Sequence, residues 1–138
     1  MILLDTNVIS EAMRPVPEPS VMAWLNSQAA GELWTSTIVV AEIYSGLDLM
    51  PAGKRQRELL EKAELMFDRF FGARILAFDL LAARAYGGVL KARQAKALPI
   101  DEMDALLAAT ALASDSTLAT RNTSHFQSCG IRVLNPWL

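Results

Sequence analysis

The sequence holds one cysteine and one histidine in 138 residues, and those two scarcities remove whole classes of chemistry. Cys129 alone cannot form an intramolecular disulfide, which fits a reduced, intracellular globular protein rather than a disulfide-stapled secreted scaffold. Cys129 and His125 fall short of the four Cys and His ligands of a structural zinc site. Cys129 therefore reads as a structural or incidental thiol, and His125, behind a polar run, as a surface or hydrogen-bonding residue. No serine stands in a Gly-x-Ser-x-Gly elbow, so a Ser-His-Asp hydrolase lacks its nucleophile. Glycine-rich phosphate loops are missing as well. No apolar run reaches the roughly 18 residues of a membrane span, and the opening Met1-Ile2-Leu3-Leu4-Asp5 has no basic segment and meets an acid too early for a signal peptide. A cytoplasmic protein with no membrane partner is expected. Positive charge is also not in excess: 13 Lys and Arg face 15 Asp and Glu, a net charge of -2. That balance does not advertise a polyanion partner, but fields are local, and acids that hold a divalent cation can sit beside a basic rim.

Apolar residues are plentiful, at 52% of the chain, in a length that suits one domain over 1–138. Ile2-Leu3-Leu4 reads as a short buried strand that stops at Asp5, and Val8 to Met13 as a short helix ended by the prolines of Arg14 to Pro19. Ser20 is placed as the cap of a helix over Val21 to Gln28. Leu33 to Ser36 reads as a strand, with Ser36 or Thr37 capping a helix from Ile38 to Leu49. A long helix follows from Lys54 to Phe71, ended by Gly72. Its basic start, Lys54-Arg55-Gln56-Arg57, reads first as a solvated face and second as a contact to nucleic acid. Arg74 to Phe78 is a strand, and Asp79 caps a helix over Leu80 to Ala97 with Tyr86, Val89 and Leu90 turned inward. After Pro99, Asp101 opens a helix that is apolar on more than one side and so suits a central, buried position. Ser116 to Thr120 and Ile131 to Leu134 are strands, with a loop or helical turn between them. Short strands alternating with helices predict an α/β fold whose strands run parallel beneath helices on both faces.

Three acids stand out against this frame. Asp5 ends the first strand, and in open α/β sheets ligands bind outside the carboxyl ends of strands. Glu42 is flanked by Ile38, Val39 and Ile43 on neighbouring helical turns, so burying those residues draws its carboxylate toward the core or a cleft, unless it only edges the apolar stripe. A buried carboxylate demands a counter-charge, a raised pKa or a metal ion. Asp104 lies one turn inside a helix whose capping role falls to Asp101, which leaves Asp104 to point inward. Oxygen ligands without His or Cys are the donor type of Mg²⁺ or Mn²⁺ rather than zinc.

Five stretches give the chain a resemblance. Ile2-Leu3-Leu4-Asp5-Thr6-Asn7-Val8-Ile9-Ser10-Glu11, Val40-Ala41-Glu42-Ile43 with Gly46, Asp104 to Ala109, Leu118 to Thr123 and Asn135-Pro136-Trp137 resemble, in order, PIN-domain proteins of the VapC toxin class, FitB-like subgroup. The resemblance implies a three-layer α/β/α sandwich around a parallel sheet of four or five strands. It implies the toxin of a type II toxin–antitoxin system, an endoribonuclease that hydrolyses RNA with Mg²⁺ or Mn²⁺. Asp5, Glu42 and Asp104 match the family's metal-site acids, with Asp5 and Asp104 as the main ligands. Asn122 falls in the stretch that commonly carries a fourth acid, and His125 stands where some relatives have another Asp. An amide orients water or phosphate but brings no charge and cannot act as a base. Arg121 and the Lys91, Arg93 and Lys96 group are candidate contacts to the RNA backbone, or a solvated helix face. A cognate antitoxin, VapB-like or FitA-like, is the implied partner, with operator DNA reached only through it, and a homodimer is expected. Met13 to Trp24 and Leu59 to Phe71 are its candidate surfaces.

Two rivals remain in view. A haloacid-dehalogenase-like phosphatase also starts with an Asp after its first strand, but it wants a second Asp two residues on, where this chain has Asn7. The other is a catalytically weak PIN-like interaction protein, acting at DNA through its partner complex, with Asn122 as the mark of a weakened site.

Overall fold

In the computed structural model, which describes residues 1–138, five parallel strands form one sheet in the order β3-β2-β1-β4-β5. They are β1 (Ile2–Leu4), β2 (Leu33–Ser36), β3 (Ile75–Leu76), β4 (Thr117–Ala119) and β5 (Arg132–Leu134). Helices are α1 (Thr6–Ala12), α2 (Pro19–Ser27), α3 (Thr37–Asp48), α4 (Lys54–Leu65), α5 (Leu80–Ala95) and α6 (Glu102–Ala113), completing a three-layer α/β/α sandwich. β1 is central, pairing Leu3 with Trp34 of β2 on one side and with Leu118 of β4 on the other. Strands buried on both faces of a parallel sheet need continuous apolar side chains. Leu3 and Leu118 supply them and are fully buried.

The helix starts follow local hydrogen-bond chemistry. The Ser36 hydroxyl accepts from the Val39 N–H, Asp79 from Ala82 and Asp101 from Met103, so each caps its helix. Two starts lie earlier than the sequence suggests. α1 begins at Thr6 because Asp5 itself is its cap. α2 begins at Pro19 rather than after Ser20, since proline fits the first helical position, where its missing N–H costs nothing. The long basic helix is regular to Leu65 and finishes in a π-helical turn, Met66–Phe71. Gly72 ends it at φ 55°, a left-handed conformation that glycine adopts without a Cβ penalty.

α6 is the central helix the sequence foretold, with Ala105, Leu107, Ala108, Ala109 and Ala111 all buried, and it packs against α5. On α5, Val89 is fully buried and Tyr86 half-buried, but Leu90 faces outward at 38% exposure. Cys129 is buried, and burial pushes its thiol above the ordinary range, which leaves it a packing residue. No helix is long and apolar enough to cross a membrane.

Candidate active site

Strand order locates the site. From β1 the chain moves one way to β2 and β3, and later returns to the other side of β1 for β4 and β5. The β1–β4 junction is thus the topological switch point, where a crevice opens at the carboxyl ends. Asp5 follows β1 there and Thr120 follows β4.

Asp5 is only 5% exposed. Its Oδ1 accepts the Thr6 N–H at 2.7 Å, and its Oδ2 accepts the Thr120 hydroxyl at 2.7 Å and the Asn7 amide at 3.4 Å. The Thr120 oxygen in turn accepts from Asn7 Nδ2 at 3.2 Å and the Asn122 N–H at 3.1 Å. Asn7 Oδ1 accepts the Arg121 N–H at 3.2 Å, which locks the loop after β4 onto the start of α1. All of these donors are neutral, and no Lys or Arg is paired with Asp5. Burial raises the Asp5 pKa from its ordinary value, with the hydrogen bonds of Thr120 and Thr6 opposing.

Glu42, half-buried on α3, accepts the Thr6 hydroxyl at 3.1 Å. Its pKa is raised by burial first, and then by the fields of Asp5, Asp104 and Asp101. Asp104 sits one turn inside α6, and it too is raised, by burial first and then by Asp5. His125 opposes this rise, its Nδ1 lying 3.2 Å from Asp104 Oδ2. Three carboxylates therefore share one edge of the sheet, each resisting ionisation, with Glu42 and Asp104 both in the field of Asp5.

No three acidic, His or Cys side chains close into a cage that would hold an ion unaided. Mg²⁺ does not need one, because it keeps several waters and takes one or two carboxylates together with substrate phosphate. An all-oxygen set of carboxylates with no Lys or Arg partner, and only His125 beside Asp104, fits such a hard divalent ion. Asp5, Asp104 and Glu42 are the residues that could hold one.

The remaining candidates divide. Asn122 is exposed, with its backbone tied to Thr120 and its side-chain amide capping nothing. Arg121 is exposed beside the site, its guanidinium 5.1 Å from the Trp137 ring centroid. Lys91 and Lys96 are exposed on and just beyond α5. Arg93 must be corrected: it is 5% exposed and directed into the protein. Its Nη1 donates to the carbonyls of Ser124 (3.2 Å) and Gln127 (2.9 Å), and its Nη2 to that of Pro99 (2.6 Å). Those loops hold Arg93, and RNA cannot reach it. Sequence reasoning also passed over Thr6, Asn7 and Thr120 as working parts. Their signal was present, since each is a short polar residue at the end of an apolar strand, but only strand order puts Thr120 against Asp5.

Residues 2–129 match the PIN domain family. The chain belongs to the PIN-domain family. Similar PIN-domain relatives include the plasmid stability protein StbB of Pseudomonas syringae pv. tomato, 46% identical over 137 residues and covering 99% of both chains. The VapC ribonuclease Y4jK of Sinorhizobium fredii is 40% identical over 137 residues, covering 99% of this chain and 98% of its own. The solved structure of FitAB bound to an IR36 DNA fragment matches with a TM-score of 0.93 at 40% identity, over 100% of this chain and 96% of that one. The PIN fold accounts for the parallel sheet with β1 at its centre.

Proposed function

We propose that this PIN domain is the toxin of a toxin–antitoxin pair, an endoribonuclease that hydrolyses RNA phosphodiester bonds with Mg²⁺ or Mn²⁺. The observation that carries the reading is the set of three carboxylates at the β1–β4 crevice, all pushed up in pKa, with no Lys or Arg to balance them. The similarity to a VapC ribonuclease supports it. A divalent ion bound there supplies charge for the phosphate, a water of lowered pKa and stabilisation of the leaving oxygen.

In this reading Asp5 and Asp104 hold the ion, and Glu42 binds it as well or orients the attacking water. The hydroxyls of Thr120 and Thr6 fix the Asp5 and Glu42 carboxylates. Asn122 positions water or phosphate through its free amide, and it takes no proton. Arg121, beside the crevice, sets the register of the RNA backbone rather than reading its bases. Thr120→Val removes the hydroxyl from Asp5 and should weaken Mn²⁺ binding about 10- to 100-fold, the usual cost of losing a group that orients a ligand. Titration of the purified variant followed by electron paramagnetic resonance checks this, and unchanged affinity would leave Thr120 a purely structural residue.

The partner is a cognate VapB-like or FitA-like antitoxin, with operator DNA contacted through it; the similarity to FitAB bound to a DNA fragment supports a partner complex at DNA. An apolar groove of about 590 Å³ lies between α1, α2 and the end of α4, lined by Met22, Leu25, Leu65, Met66 and Phe70 among others. It takes in Met13 and Met22 from one surface expected from sequence and Leu65, Met66, Phe70 and Phe71 from the other, and it suits an apolar antitoxin segment. Leu65 is 55% exposed on its rim. Leu65→Asp should weaken the antitoxin complex about 100-fold, the effect of losing a buried anchor, without lowering the melting temperature of the isolated chain. Equal affinity by calorimetry would remove the groove from the interface.

The direct test is partner-free protein incubated with total RNA, with Mg²⁺ or Mn²⁺ and with EDTA. Cleavage only with metal is expected. No cleavage, together with Asp5→Ala being as growth-inhibitory as the unaltered chain, would overturn the reading.

A further inference from the structure

A second cavity, of about 450 Å³, opens directly off the acidic edge, because Thr6 and Glu42 belong to its wall. Its exposed lining includes two arginines, Arg14 and Arg55, and its buried floor is apolar, with Met13, Ile43 and Leu47. The volume lies within the roughly 300–1,000 Å³ of small-ligand sites. An acidic edge that grades into a basic rim over an apolar floor has the polarity that an extended nucleic acid strand requires: metal site, then phosphate, then base.

Both arginines have capacity to spare. The Arg14 side chain is 63% exposed and engages Glu11 through Nη1 alone, leaving its other guanidinium nitrogens open. Arg55 is exposed and takes part in none of the chain's ion pairs. It lies in the first turn of α4 with Lys54 and Arg57, and that turn holds no acid and receives no side-chain cap. Cations at a helix N-terminus oppose the helix dipole, and only Lys54 is offset, by Glu58 one turn on at 3.8 Å, so the stability of α4 does not account for Arg55 and Arg57.

Resting on the ribonuclease reading above, we infer that this cavity is a substrate subsite. It takes one unpaired nucleotide flanking the scissile phosphate, with the base on the apolar floor and backbone phosphate on Arg14 and Arg55. The RNA must be single-stranded there, since only a splayed-out base can enter such a pocket. The basic start of α4, and not the α5 face of Lys91 and Lys96, is then the main track of the strand.

The test measures fluorescence anisotropy of a labelled eight-nucleotide single-stranded RNA in an Asp104→Asn background, across a salt series. Adding Arg55→Ala should weaken binding about ten-fold, and Arg55→Glu more. The slope of log affinity against log salt should fall by about 0.7 for each phosphate that the protein no longer neutralises. With Asp104 intact, Arg55→Ala should raise KM by a similar factor, keep kcat, and leave Mn²⁺ binding and the melting temperature unchanged. If the unaltered chain cleaves RNA and the Arg55 variants match it in affinity and salt slope, the subsite is refuted and the ribonuclease reading stands. If the unaltered chain neither binds nor cleaves RNA, both fall. If Arg55→Glu impairs only antitoxin binding, the cavity belongs to a protein partner and the inference fails.

Discussion

Asp104→Asn should cut RNA cleavage about 10³-fold and, in metal-free protein, raise the melting temperature. The first effect follows from losing a charged ligand, because a metal ion's stabilisation of the transition state is several kcal/mol and each 1.36 kcal/mol is tenfold in rate. The second follows from linkage. Asp104, Glu42 and Asp5 all have folded-state pKa values above their ordinary ones. Such groups contribute stability that is fully present below the ordinary carboxylate range and is lost as pH rises through the raised folded values. Above the ordinary carboxylate range the cost of ionising the cluster therefore weighs on the metal-free fold, and removing one carboxylate relieves it. The melting difference between variant and parent should grow as pH rises from about 4, then level off once the raised pKa values are passed. Saturating Mn²⁺ should reverse the order, since a ligand at 100 times its Kd adds about 2.7 kcal/mol to the parent. Equal melts at every pH, with and without Mn²⁺, would remove Asp104 from any cation site.

Arg93→Ala should destabilise the fold by about 3–5 kcal/mol, since three carbonyls lose a charged donor at roughly 1–3 kcal/mol each. For a chain of this size that is a melting-point drop on the order of 10 °C. The guanidinium joins α5 to three carbonyls on two separate loops, those of Pro99, Ser124 and Gln127. Truncation leaves those acceptors without their charged donor, and lysine cannot replace a planar fork that reaches in several directions. Arg93→Lys should therefore recover little of the loss. Calorimetric melting checks both variants. Had Arg93 been an RNA contact, Arg93→Ala would weaken RNA binding with the melt unchanged, and that outcome would contradict its burial.

Arg93 shows why part of the molecule was legible in the sequence and part was not. Period and capping are local, so the strands, the buried α6 and the caps Ser36, Asp79 and Asp101 could be read from neighbouring residues. The three acids could be singled out because each interrupts or adjoins an apolar pattern. An arginine between lysines looks like part of a solvated stripe, and its burial depends on carbonyls up to 34 residues away. Leu90 failed for a related reason: it follows Val89 on α5, but only the α6 contact decides which of the two faces inward. Strand order was equally hidden, and with it the role of Thr120. The prolines misled locally, since Pro19 starts α2 where it was read as part of the preceding loop.

The contacts that join Asp5 and Asn7 to Thr120 and Arg121 also set a clock on synthesis. They span 113 to 115 residues. Contacts this distant in sequence form only after the intervening chain has been translated. Any chain interrupted before β4 lacks half of the crevice. The acidic edge is therefore assembled only once β4 has been made and has docked beside β1.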